Sequence, residues 1–139
     1  MSARAGGAAL LAVAAVLLMG AADGGWLRRV PAAERARTNP LAGQKQAEEA
    51  GRQLYASECS RCHGERAEGH GGRPALMSAR VAAASDGELA WLLKNGDPWH
   101  GMPSWGSLPE TERWQLVSYL RQINQAPDAA SNKQQGETK

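Results

Sequence analysis

The two cysteines of this 139-residue chain lie three residues apart, and a histidine directly follows the second one. The stretch reads Cys-Ser-Arg-Cys-His at positions 59 to 63. No other thiol is present, so the pattern limits the uses of the pair to three. The pair is a redox dithiol, part of a zinc site, or the attachment point of a covalent haem, and each use requires different surroundings in the chain.

Two of these uses fit the surroundings poorly. A redox dithiol of thioredoxin type lies where a strand leads into a helix, because the helix N-terminus lowers the pKa of the first thiol. Here a predicted helix precedes the pair, and no strand pattern does. A zinc site requires four ligands, and the candidates beyond the pair are His70 and His100, at a spacing that matches no common zinc module. Both uses stay open, but neither accounts for all five positions.

The haem interpretation accounts for the whole motif. Cysteines at i and i+3 on a helical turn point to one side, where their thiols can add to the two vinyl groups of one haem. His63 is then held close to the iron as the proximal ligand. This use consumes both cysteines, so an exported chain keeps no free thiol. The pattern therefore favours one covalently bound haem c, attached to Cys59 and Cys62 and ligated by His63.

The N-terminus indicates export. Residues 5–22 (AGGAALLAVAAVLLMGAA) contain no charge, which predicts a signal peptide or an N-terminal transmembrane anchor over residues 1–22. Small residues at positions 20 and 22 suit cleavage, whereas the length of the apolar stretch favours a retained anchor. Either use places the rest of the chain in the periplasm or on the outer face of the cytoplasmic membrane of a bacterium, membrane-anchored or secreted. Covalent haem attachment takes place on that side.

The remaining chain predicts one small helical domain between flexible ends. Residues 23–43 have prolines, glycines and scattered arginines without an apolar period, so we expect a flexible linker. Residues 44–124 predict an all-α domain of three to four short helices: one over 44–58, a turn near 78–82, a capped helix over 86–94 and one over 109–124. Residues 125–139 predict a disordered tail. So few helices bury little core, which fits a fold wrapped around a covalently bound haem.

The charge distribution argues against a nucleic-acid partner. Residues 1–40 contain five arginines against two acidic side chains, whereas residues 41–139 contain eleven Lys or Arg against twelve Asp or Glu. The formal charge of +2 therefore originates upstream of a nearly neutral domain. No basic stripe interleaved with aromatic residues is present, so we expect no nucleic-acid binding.

The second iron ligand has three candidates. Met77 lies only fourteen residues after His63, in a stretch that must first cover the proximal side. His100 is chemically able, and a bis-imidazole iron would have a lower potential. Met102 lies in His-Gly-Met-Pro, with a predicted helix before it that can carry the chain to the opposite haem face. Gly101 allows close approach and a proline follows, so the loop presents the Met102 thioether at little ordering cost. We expect Met102 to be the ligand.

These motifs together resemble the class I monohaem cytochrome c family. The resemblance covers residues 44–124 and rests on the following matches: Gly51-x-x-x-Tyr55-x-x-x-Cys59-x-x-Cys62-His63-Gly64, Pro74-x-Leu76, Gly101-Met102-Pro103 and Tyr119-Leu120. It implies a cytochrome c fold in which the first helix crosses the last at Gly51, near Tyr119. It also implies that the Pro74 carbonyl accepts the Nδ1 proton of His63, which would orient the imidazole.

The resemblance implies an electron-transfer protein with His63 and Met102 as axial ligands. Its partners would be membrane or periplasmic redox proteins, such as a dehydrogenase that delivers electrons or a terminal oxidase that takes them, and an uncleaved 5–22 segment would hold it at the membrane. The chain is then not an enzyme. The rival is a haem enzyme or sensor with an open distal position, for which His100 is the one candidate distal acid or base.

Overall fold

The computed structural model describes residues 25–125. The chain divides between Val30 and Pro31 into two units, of which residues 25–30 and 31–125 are described. In the first unit the described residues form a 3-10 turn, Leu27–Arg29. The predicted signal or anchor (1–22) and residues 126–139 of the predicted tail lie outside the described residues. Among the residues that are described, no helix is both long and apolar enough to cross a membrane.

Residues 31–125 of the second unit form six α-helices: α1 Ala32–Arg35, α2 Lys45–Glu58, α3 Ser60–His63, α4 Ala79–Ala83, α5 Asp86–Asn95 and α6 Glu110–Gln125. A 3-10 turn, Pro98–His100, follows α5. Within 25–125 the backbone forms no strand, only two isolated bridges, His70 with Arg73 and Asp97 with Met102. The all-α prediction is confirmed, and the four predicted helical segments correspond to α2, α4, α5 and α6.

The crossing of α2 and α6 organises the core, because these helices make the most extensive contact in the domain. A Cβ atom at Gly51 would lie 2.0 Å from the Gln115 carbonyl oxygen and 2.9 Å from Cβ of Tyr119. Only glycine allows the two backbones to approach so closely. The residues buried in the domain core include Ala47, Tyr55, Leu89, Leu93, Trp114, Leu116, Val117, Tyr119 and Leu120.

Helix α5 begins with the capping box that the sequence predicts. The Ser85 hydroxyl accepts the backbone N–H of Glu88 at 3.1 Å, and the Glu88 carboxylate accepts the backbone N–H of Ser85 at 2.7 Å. These two bonds satisfy donors that a helix start otherwise leaves unpaired. The helix then buries Leu89 and Leu93 and ends at Gly96. It directs the chain into the loop that contains Met102.

Residues 31–43, which belong to the predicted flexible linker (23–43), make several contacts with the helices that follow. Asn39 is buried, and its side-chain amide donates to the Ser118 hydroxyl at 2.9 Å and to the Trp114 carbonyl at 3.2 Å. The Arg35 carbonyl accepts the Ser85 hydroxyl at 2.8 Å. A Cβ at Gly87 would lie 1.9 Å from the Glu34 carbonyl oxygen, so α1 rests directly on α5. This segment packs through polar groups and a glycine contact, which an apolar period does not reveal.

Candidate haem site

The cysteine pair lies at the helical turn α3, directly after α2: Cys59 is the N-cap of the turn and Cys62 lies within it. Backbone bonds from Cys62 N–H and His63 N–H to the Cys59 carbonyl, at 3.1 and 3.0 Å, close this turn. The two cysteines form no disulfide with each other. Burial raises the pKa of the Cys59 thiol to about 12, and nearby Glu58 and Cys62 contribute less. A redox dithiol requires a lowered pKa at its attacking cysteine, so this environment does not suit the thioredoxin-type use.

The zinc interpretation gains no support from the arrangement of ligands. Within the described part of the chain, no three His, Cys, Asp or Glu side chains lie in a group that could hold a metal ion. A structural zinc site has four such ligands. The motif therefore has no zinc partners among residues 25–125.

His63 is oriented by the carbonyl of Pro74. Its Nδ1 atom lies 2.9 Å from that oxygen. Because a carbonyl oxygen can only accept, Nδ1 carries a proton, and Nε2 is then the nitrogen whose lone pair a neutral imidazole can offer. This is the tautomer that a metal-ligating histidine requires, with the second ring nitrogen fixed by a backbone acceptor.

Residues 64–77, which we term the His63 loop, fold back on residues 59–63, which we term the cysteine turn. The Tyr55 hydroxyl donates to the Gly64 carbonyl at 2.6 Å, and Gly69 N–H donates to the His63 carbonyl at 2.7 Å. Ala67 is fully buried and accepts the backbone N–H of Leu76 at 2.8 Å. These bonds fix the position of the Pro74 carbonyl relative to the imidazole.

Residues 97–106, which we term the Met102 loop, are fastened at the end of α5. Asp97 and Met102 exchange both backbone hydrogen bonds, each at 3.0 Å. A Cβ at Gly96 would lie 2.7 Å from the Met102 carbonyl oxygen, and Trp105 N–H donates to the Leu93 carbonyl at 2.8 Å. Gly101 has a φ of 78°, a conformation that favours glycine. The backbone of Met102 is therefore fixed on the side that faces α5.

The other two ligand candidates have different surroundings. Met77 is 47% exposed, and its backbone N–H donates to the Ala67 carbonyl within the His63 loop. His100 is exposed, and its Nδ1 lies 2.7 Å from the buried Asp97 carboxylate. His70 is exposed.

The residues present fit a haem. The site offers two thiols on one turn, an imidazole with its Nε2 lone pair free of the Pro74 bond, and a thioether on a fastened loop. The polypeptide also leaves several large apolar side chains partly or largely exposed, which a flat apolar group would cover: Leu76, Met77, Val81, Trp91, Leu92, Trp99 and Trp105. Trp99, on the Met102 loop, is the most exposed of these at 86%.

Sequence reasoning missed the contacts that hold the loops. We did not foresee the role of Asp97 in fastening Met102, nor the hydrogen bond from Arg73 Nη1 to the His100 carbonyl at 3.0 Å. Every residue has a backbone carbonyl, so the residue types do not indicate which carbonyl accepts a hydrogen bond from Arg73. That partner can be identified only in the folded structure.

The family model described as "Cytochrome C oxidase, cbb3-type, subunit III" matches residues 46–120, more than half of the chain. The chain belongs to this family. It is therefore a c-type cytochrome, whose domain binds haem c covalently and serves in electron transfer. No curated protein matches the chain significantly.

The match begins within α2 and ends within α6, so it contains the cysteine turn, both loops and the helices that cross at Gly51. The helical domain of this cytochrome c is thus the part of the chain that carries the family's features. Residues 31–43, which also pack on the domain, lie upstream of the match.

Proposed function

We propose that this cytochrome c is an electron carrier with a single haem, attached through Cys59 and Cys62 and ligated by His63 and Met102. One observation carries the proposal: the hydrogen bond between His63 Nδ1 and the Pro74 carbonyl, directly after the cysteine turn. It leaves Nε2 as the iron ligand and fixes the plane of the ring. The bound haem supplies an iron that changes by one electron while its ligands stay in place.

Met102 is the proposed second ligand because its loop is fastened. The backbone N–H and carbonyl of Met102 both form hydrogen bonds with the backbone of Asp97. Gly101 supplies the left-handed backbone conformation directly before Met102. A thioether held in this way requires little reorganisation when the iron changes charge. His/Met ligation favours a higher reduction potential than two imidazoles.

The partners that we propose are redox proteins of a respiratory membrane. The family description names a terminal oxidase of cbb3 type, which would take electrons from this domain, and a dehydrogenase would deliver them. We place the protein in the periplasm or at the outer face of the cytoplasmic membrane, anchored by residues 5–22 if these are retained. Mass spectrometry of the mature protein tests this placement, since an anchored chain keeps its N-terminus and a cleaved one begins near residue 23.

A haem stain on a denaturing gel tests the attachment. The parent protein should stain, and the Cys59→Ala, Cys62→Ala double variant should lose covalent haem. An unstained parent band from cells that mature c-type cytochromes would overturn the proposal.

The oxidised spectrum tests the axial ligand. The weak far-red band of methionine-to-iron charge transfer should be present in the parent and absent in Met102→Ala. Met77→Ala and His100→Ala are matched controls and should retain it. A parent without the band would favour the rival, a haem enzyme or sensor with an open distal position, and a band that persists in Met102→Ala would exclude Met102.

A further inference from the structure

Arg73 and Pro74 are adjacent residues that contact different parts of the proposed haem site. The Pro74 carbonyl accepts from His63 Nδ1 at 2.9 Å. The Arg73 guanidinium crosses to the other loop, where its Nη1 donates to the His100 carbonyl at 3.0 Å. One dipeptide of the His63 loop therefore touches both the proximal imidazole and the Met102 loop.

The backbone of Arg73 gives the side chain a fixed starting point. Its N–H donates to the His70 carbonyl at 2.9 Å, in the bridge that closes the turn His70–Arg73. A Cβ at Gly69 would lie 2.7 Å from the Arg73 carbonyl oxygen, and Gly69 itself is bonded to the His63 carbonyl at 2.7 Å. The backbone of Arg73 thus lies against Gly69, a residue that is hydrogen-bonded to the proximal histidine.

The other end of the contact lies two residues before Met102. The His100 carbonyl belongs to the 3-10 turn Pro98–His100, whose last N–H bond runs from Gly101 to the Pro98 carbonyl at 3.1 Å. The guanidinium lies directly over Gly101, because a Cβ there would be 2.6 Å from Arg73 Nη1. Asp97 fastens the same loop on its α5 side. Arg73 thus links the Met102 loop to the His63 loop, whereas Asp97 links it to the end of α5.

We propose that Arg73 is a positioning residue that keeps Met102 on the iron by tying the Met102 loop to the His63 loop. The proposal rests on the ligation by His63 and Met102 proposed above. For Met102 to leave the iron, its loop must move outward, and that movement breaks the bond to the His100 carbonyl. Arg73 therefore controls how readily an external ligand reaches the iron, although it does not touch the iron itself.

Binding of imidazole to the oxidised holoprotein tests this role, because imidazole binds only when the methionine has left. Loss of this one hydrogen bond, which is exposed but has a charged donor, should raise the binding rate of Arg73→Gln about fivefold. Arg73→Lys keeps one donor and the charge, so its rate should lie near that of the parent. Arg66→Gln, which changes an exposed arginine of the same loop, should bind imidazole at the parental rate.

Gly101→Ala supplies a second, independent measurement. The new Cβ would displace the guanidinium, so the substitution breaks the tie and also introduces a strained φ. In the Arg73→Gln background only the strain remains. The two changes together should therefore raise the imidazole rate by less than the product of their separate effects.

The outcomes separate this proposal from the one on which it rests. A parent protein that lacks the far-red band removes the Met102 assignment and with it the role of Arg73. A parent that has the band, with Arg73→Gln binding imidazole at the parental rate, overturns the Arg73 proposal alone. The same follows if Arg66→Gln accelerates binding equally, or if Arg73→Gln changes only the reduction potential, as a propionate partner would.

Discussion

The Tyr55 hydroxyl donates a hydrogen bond of 2.6 Å to the carbonyl oxygen of Gly64, the residue that follows His63. Tyr55 also packs against Tyr119, with ring centroids 5.2 Å apart. The last turn of α2 and the helix α6 thus hold the chain directly where it leaves the proximal histidine. The same side chain serves the core and the proposed haem site.

Tyr55→Phe should lower the free energy of unfolding by about 1 kcal/mol, because the Gly64 carbonyl loses one of its two donors and keeps only the Ala67 N–H at 3.2 Å. Denaturant unfolding of the holoprotein measures this loss. Tyr119→Phe is the matched control, since its hydroxyl makes no hydrogen bond to another residue in 25–125, and it should have a smaller effect. Equal losses in the two variants would show that the bond to Gly64 contributes nothing.

Gly51→Ala should separate α2 from α6. The added methyl group would lie 2.0 Å from a backbone oxygen, which cannot move aside as a flexible side chain would. Overpacking of this kind costs about 3 kcal/mol, so the melting temperature should fall sharply. Gly25→Ala is the control, because no described atom lies within 4 Å of its Cβ position. A parental melting temperature in Gly51→Ala would contradict the close crossing.

Asn39→Ala should release residues 31–43 from the domain. The change removes both donor bonds to α6 and the bond that Leu41 N–H makes to the Asn39 side chain at 2.9 Å. It should cost about 2 kcal/mol of stability because three hydrogen bonds are lost, although the Trp114 carbonyl keeps its bond from the Ser118 hydroxyl at 3.1 Å. Trypsin should then cleave faster after Arg35 and Arg37.

Thr38→Ala, which changes an exposed neighbour, should leave the cleavage rate unchanged. A linker without attachment would give rapid cleavage in the parent as well. That result would restore the flexible linker predicted from the sequence.

Acid should weaken the contact of residues 31–43 with α6. Arg37 donates to Glu110, and this bond lowers the pKa of the Glu110 carboxyl below its ordinary value of 4.5. A lowered pKa in the folded state means that the pair stabilises at pH values above 4.5 and that this contribution is lost as the pH falls through the folded value. Arg37 also lies over the Trp114 ring, 5.1 Å from its centroid.

The expected readout is the difference in melting temperature between the parent and Glu110→Gln. It should be small at neutral pH, because the pair is exposed, and it should vanish at acid pH. Glu65→Gln, an exposed carboxylate in the His63 loop, should show no such trend. A difference that grows as the pH falls would have the wrong sign for this pair.

The cysteine turn, the helices and the capping box could be predicted from the sequence because each is a local pattern of a few neighbouring residues. The positions of α2 and α6 follow from the spacing of their apolar residues. The close approach of the two helices at Gly51 was implied by the resemblance to class I cytochromes c. Asn39 escaped prediction because its partners lie 75 and 79 residues away and one of them is a carbonyl. The contact of Arg73 with His100 is of the same kind, since its acceptor is also a backbone atom.

The Ser85 hydroxyl has two tasks at once. It accepts from Glu88 N–H at the start of α5 and donates to the Arg35 carbonyl at the end of α1. The first turn of α5 and the helix α1 are therefore coupled. When either of them opens, the other loses a hydrogen bond. In hydrogen exchange, the amides of α1 and of the first turn of α5 should lose protection together, as one cooperative unit, and Ser85→Ala should weaken this coupling, although the contact at Gly87 and the Arg35–Glu88 ion pair remain.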